Sequence, residues 1–114
     1  MTRILLVEDD LEVQKKVCAM LTELGFEVLT IDTIDDTTYD LVINQLFDGY
    51  ICDSQVKGRH PDNGRLLAGY LKRDLEKDNV VIFSGGNVPP HSRVDWISKS
   101  DPQKLKEWAQ KLLK

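Results

Sequence analysis

Three short runs of this chain are apolar or aromatic throughout, and each stops at a residue with chemistry to offer. Ile4-Leu5-Leu6-Val7 ends at Glu8-Asp9-Asp10, Tyr50-Ile51-Cys52 ends at Asp53, and Val80-Val81-Ile82-Phe83 ends at Ser84. Unbroken runs this short, rich in branched side chains, read as strands buried on both faces, the signature of a parallel sheet. Their polar stops then gather at the carboxyl ends of the strands, where open α/β sheets place their ligand sites. The carboxylates after the first run repel one another, so a cationic group belongs among them.

The intervening segments read as helices. Leu11, Val17, Cys18, Leu21 and Leu24 recur at helical spacing, with Val13 and Met20 widening the stripe. Asp9 or Asp10 can cap the start, and Gly25 can take the left-handed position that ends the helix. Phe26 to Ile31 alternates only partly, as an edge strand does. Tyr39, Val42, Ile43 and Leu46 form an i, i+3, i+4, i+7 stripe of a second helix. After a loop from Ser54 to Asn63, Asn63 or Asp62 caps a third helix with Leu67, Tyr70, Leu71 and Leu75 on one face. Trp96-Ile97 is a short last strand stopping at Ser98-Lys99. Asp101 and Pro102 open a final helix carrying Leu105, Trp108, Ala109 and Leu112. The order is β-α-β-α-β-α-β-loop-β-α, which predicts a doubly wound five-stranded parallel α/β sheet with right-handed crossovers. With the purely apolar strands central, the strand order is 2-1-3-4-5 and the crevice lies between strands 1 and 3.

At 114 residues the chain reads as one domain, 1–114. Its net charge of −4 argues against nucleic acid as the main partner. Cys18 and Cys52 form no Cys-x-x-Cys pair and read as reduced core thiols of a cytoplasmic protein. The first apolar run is too short for a signal peptide, and no run approaches the ~20 residues that span a bilayer. His60 and His91 have no partner at ligand spacing and read as surface or loop residues.

Glu8 and Asp9, Asp53, Ser84 and Lys99 thus line one rim of the sheet. Carboxylate oxygens beside a backbone carbonyl suit Mg²⁺, which takes one or two carboxylates and keeps several waters. A carboxylate held against such a cation can attack a phosphoryl group and form an acyl phosphate. Lys99 would then neutralise phosphoryl oxygens, and Ser84 can donate a hydrogen bond to one of them.

On these motifs, from Arg3 to the end, the chain resembles the receiver domain of response regulators, the phosphoacceptor module of two-component signalling. Ile4–Asp9 is similar to the family's first strand and acidic pair, and Ile51-Cys52-Asp53 to the strand bearing the phosphorylated aspartate. Phe83-Ser84-Gly85 and Ile97-Ser98-Lys99 correspond to its hydroxyl and lysine motifs. The resemblance implies a flavodoxin-like fold and Asp53 as phosphoacceptor, assisted by Lys99 and Ser84. It also implies Mg²⁺ held by Asp9, Asp53 and the backbone carbonyl of Gln55, with Glu8 acting through water, and Ser84 and Trp96 as switch residues. A histidine kinase or histidine phosphotransfer protein would supply the phosphoryl group. A downstream protein would read the result, with no DNA-binding domain in the chain, no membrane attachment and a monomeric state.

Three departures from the family stand out. Ser100, not proline, follows Lys99. The loop after Asp53 is longer than usual, with Gly64 at 64 − 53 = 11 positions on, and Lys57 replaces its usual proline. Ser84 to Lys99 spans only 99 − 84 = 15 positions and contains Pro89-Pro90, so the family's fourth helix is expected to be reduced or absent. An irregular loop or at most one helical turn is expected there. The signal would then be read from loop 85–93 and helix 101–113, or through the first helix.

Two other readings compete. A pseudo-receiver would keep the fold without phosphorylation, but would be expected to have lost an acid or the lysine. A haloacid-dehalogenase-like phosphohydrolase also uses a strand-end aspartate with Mg²⁺, but would carry a second aspartate where Gln55 stands.

Overall fold

The computed structural model describes residues 2–58, 62–85 and 93–113. Its sheet contains β1 (Arg3–Val7), β2 (Glu27–Ile31), β3 (Gly49–Cys52), β4 (Val80–Ser84) and β5 (Asp95–Ser98). The helices are α1 (Leu11–Glu23), α2 (Asp36–Asn44), α3 (Asn63–Arg73) and α4 (Pro102–Gln110), the last followed by a 3₁₀ turn at Lys111–Leu113. All pairings are parallel and the order is β2-β1-β3-β4-β5, as the sequence predicts.

The apolar runs are central because they have two faces to bury, and successive side chains divide between them. Leu5, Val7, Tyr50, Cys52, Val80 and Ile82 belong to one core with Val42, Leu67 and Leu71 of α2 and α3. Ile4, Leu6, Ile51, Val81 and Phe83 belong to the other with Val17 and Leu21 of α1 and Leu105 and Ala109 of α4. β2 and β5, each paired on one side only, keep exposed residues.

Asp10 caps α1, accepting from the amides of Glu12 and Val13. Gly25 takes φ +100 beyond its end, and Leu11 of the expected stripe is exposed. Asp35 caps α2 in a capping box with Thr38, and Asp101 caps α4 with Pro102 in its first turn.

Two further sequence expectations need correction. The α2 stripe breaks down at its end, where Ile43 is 55% and Leu46 77% exposed. Gln45 adopts extended backbone and closes the helix, so Leu46 lies off it, while Phe47 turns inward instead. Arg3 holds this exit: its guanidinium donates to Gln45 Oε1 and the Leu46 carbonyl and lies 4.7 Å over the Phe47 ring. The second correction concerns the start of α3. Asp62 occupies the cap position without a side-chain capping bond, its carboxylate pairing with Arg65 at 3.3 Å, and Asn63 accepts the Val56 amide at 2.9 Å through Oδ1. Asn63 thereby ties the long β3–α3 loop to the helix. A bridge pairs Thr33 with Lys57, and the Ile34 amide donates to the Lys57 carbonyl at 2.8 Å. The loop is therefore anchored to the β2–α2 connection.

β4 ends at Ser84 and β5 begins at Asp95, leaving 95 − 84 − 1 = 10 residues between them. Residues 86–92 of that interval lie outside the described residues, as do His60 and His91. The expectations of a reduced fourth helix and of a signal read from loop 85–93 therefore fall there.

Candidate functional site

The sheet positions the site by extending its own hydrogen bonding one residue past the strand ends. The Glu8 amide donates to the Ile31 carbonyl at 2.9 Å, and the Asp53 amide to the Val7 carbonyl at 2.9 Å. The Lys99 amide reaches the Ser84 carbonyl at 3.2 Å. Each functional residue thus leaves a backbone that pairing has already fixed.

Their side chains converge. Lys99 Nζ stands 2.9 Å from Glu8 Oε1 and 3.1 Å from Asp53 Oδ2, bridging the first and third strand ends. Glu8 is 2% exposed, and its second oxygen accepts the Asp10 amide. One carboxylate oxygen each from Glu8, Asp9 and Asp53 lie within 4.8 Å of one another. Because Asp10 takes the capping role, Asp9 is left to this cluster.

Burial raises the Glu8 carboxyl from 4.5 to about 7. The Lys99 and Asp10 hydrogen bonds pull it down, and the Asp53 charge pushes it up. For Lys99, burial acts to lower the ammonium, but Glu8 and Asp53 outweigh it and leave it raised. The two shifts thus differ in origin, burial for Glu8 and the paired carboxylates of Glu8 and Asp53 for Lys99. Cys52, next to Asp53, is pushed up to about 12 by burial, which keeps its thiol inert.

Three carboxylates against one ammonium leave a formal excess of two negative charges, which suits a divalent cation. Carboxylate oxygens gathered this closely are the donor type that Mg²⁺ takes, and Glu8 already engages both of its oxygens, with Lys99 and the Asp10 amide. Gln55 is exposed in the loop two residues beyond Asp53.

Ser84 is 5% exposed, and its Oγ lies 2.7 Å from Ser54 Oγ. Sequence reasoning missed Ser54, although the parallel register offers a signal. Cys52 is opposite Ile82, so continuing two residues brings Ser54 alongside Ser84. Trp96, opposite Ile82 on β5, is half-buried against the α2/α3 core. Gly64, in the first turn of α3, touches the Asp53 backbone so closely that a Cβ would overlap its carbonyl oxygen.

No helix among the described residues is long and apolar enough to cross a membrane. No family model matches the sequence, and no curated protein matches it. Solved structures do resemble it. The response regulator TrrA of Thermotoga maritima, in complex with Mg²⁺ and beryllofluoride, is 22% identical with a TM-score of 0.78, over 98% of this chain and 99% of that one. The same regulator in complex with the histidine kinase ThkA gives 21% identity and a TM-score of 0.79 over the whole of both chains. The receiver domain of Francisella response regulator 1452 is 16% identical, with a TM-score of 0.79 over 98% of this chain and 96% of that one. Likenesses at this level of identity identify the architecture: the chain has the fold of a response-regulator receiver domain.

Proposed function

We propose that this chain is a Mg²⁺-dependent phosphoacceptor of two-component signalling, phosphorylated on Asp53 and read out through protein contacts. The observation that carries the reading is Lys99 Nζ bridging Glu8 and Asp53 at 2.9 and 3.1 Å, with Asp9 in the same acidic cluster. An Asp53 oxygen bonds to phosphorus as the donor's bond to it breaks, giving an acyl phosphate. Lys99 is positioned to follow the charge onto the phosphoryl oxygens, and Ser84 to donate a hydrogen bond. A bound Mg²⁺, held by Asp9, Asp53 and the Gln55 carbonyl with Glu8 through water, would supply further charge neutralisation.

The phosphodonor is a histidine kinase or a phosphotransfer protein. An apolar groove formed by Val13, Met20, Phe83, Pro102 and Leu105 runs beside Lys99, between α1 and α4, and offers a helix a seat next to the acceptor. A phosphohydrolase is the weaker reading, because Gln55 stands where the second aspartate of that chemistry would be. The protein acts as a cytoplasmic monomer.

Incubation with a small acyl phosphate or phosphoramidate, with and without Mg²⁺, tests this by intact mass. One phosphoryl increment is expected with Mg²⁺ only, and none in Asp53→Asn. An undiminished increment in that variant places the chemistry elsewhere. Multiple turnovers on simple phosphate esters would make the protein a hydrolase.

A further inference from the structure

We propose that Ser54 is a positioning residue that restrains the Ser84 hydroxyl in the unloaded site and so sets how readily Asp53 accepts a phosphoryl group. This rests on the phosphoacceptor reading, in which Ser84 donates to a phosphoryl oxygen on Asp53. The two Oγ atoms are 2.7 Å apart, Ser84 is buried, and Ser54 is half-buried.

The pair is built by the fold. β3 and β4 run in parallel with Cys52 opposite Ile82, and continuing that register places Ser54 across from Ser84. The Ser54 backbone is held in turn, its carbonyl accepting the Arg65 amide at 3.1 Å from the first turn of α3. Ser54 therefore presents its hydroxyl from a fixed point, one residue past the acceptor.

A serine hydroxyl carries one proton. With Ser84 as the donor of the pair, its single proton must leave Ser54 before it can reach a phosphoryl oxygen on Asp53. The hydrogen bond then stabilises the unloaded arrangement, and its loss on loading weakens phosphoryl binding by the same amount. With Ser54 as the donor, Ser84 would accept and donate at once, and removing Ser54 would not tighten binding. A neutral hydrogen bond of this kind corresponds to about 2- to 10-fold in an equilibrium constant.

The test is the affinity of the full chain for beryllofluoride in saturating Mg²⁺, read as bound fluoride by fluorine-19 NMR. Ser54→Ala is expected to bind about 2- to 10-fold more tightly than the unmodified protein. Ser54→Thr, which restores the hydroxyl, should return the affinity toward the original. In a Ser84→Ala background, Ser54→Ala should have no effect, a result that a general structural role for Ser54 would not produce. Equal or weaker binding in Ser54→Ala overturns the restraint, as does an effect that persists without the Ser84 hydroxyl. If the unmodified protein binds no beryllofluoride, the phosphoacceptor reading falls and takes this inference with it.

Discussion

Gly64→Ala should destabilise the protein, while Gly69→Ala on the same helix should stabilise it. At position 64 the new Cβ would overlap the Asp53 carbonyl oxygen, 2.8 Å from its carbon and 3.0 Å from that of Ser54. These are backbone atoms at the end of a central strand and cannot swing aside. The first turn of α3 must retreat instead by more than an ångström. That breaks or stretches two bonds, Arg65 amide to Ser54 carbonyl at 3.1 Å and Val56 amide to Asn63 Oδ1 at 2.9 Å. Each is worth about 0.5–1.5 kcal/mol. Strain from overpacking adds about 1–3 kcal/mol. Alanine's better helix propensity returns about 1 kcal/mol. The balance is a loss of roughly 1–5 kcal/mol. At position 69 nothing lies within 4 Å of the new Cβ, so propensity acts alone. A gain of about 0.5–1 kcal/mol follows there. Urea unfolding of both variants measures the difference. If Gly64→Ala has a midpoint equal to or above that of the unmodified protein, the close approach of α3 to Asp53 is not real.

Two further outcomes concern the acidic cluster. Glu8 has a folded-state pKa raised from 4.5 to about 7, so the native state binds the extra proton in that window. Metal-free stability should therefore fall as pH rises from about 4.5 to 7, by at most about 3 kcal/mol, and Glu8→Gln should flatten the profile. Urea midpoints measured in chelator across that range would refute this by rising. Mg²⁺ binding to the native state alone should raise the melting temperature, by the equivalent of about 2.7 kcal/mol at a hundred times its Kd. Asp9→Ala should blunt that response, and identical melts in Mg²⁺ and chelator would deny a metal site.

The strands and the site were legible for a common reason. A strand buried on both faces must be apolar throughout, so where Val7, Cys52 and Phe83 give way to polar residues, the rim of the sheet is marked in the sequence. What escaped was decided by contacts remote in the chain. The end of α2 depends on Arg3, more than forty residues away, drawing Gln45 and Leu46 off the helical path. Asn63 looked like a cap because its type favours caps, but the Val56 amide claims its side-chain oxygen. Ser54 carried no local pattern, since its meaning comes from the register with Ser84. The choice between Asp9 and Asp10 was equally undecidable from spacing, because both are the right type one residue apart.

The bridge between Thr33 and Lys57 changes the character of the long connection after Asp53. With Lys57 held to Ile34 and Val56 held to Asn63, the ten residues from Asp53 to Asp62 are closed partway along as well as at their ends. Closure entropy grows only with the logarithm of length, so the added residues burden the native state by a few tenths of a kcal/mol, or about 0.6 kcal/mol per doubling. The larger effect is mechanical. The connection leading into α2 and the one following the acceptor share a fastening, and neither can peel from the rim without loosening the other. The Thr33 carbonyl also accepts the Thr38 hydroxyl of the α2 capping box, so contacts run from the loop after Asp53 to α2 without passing through β4 or β5.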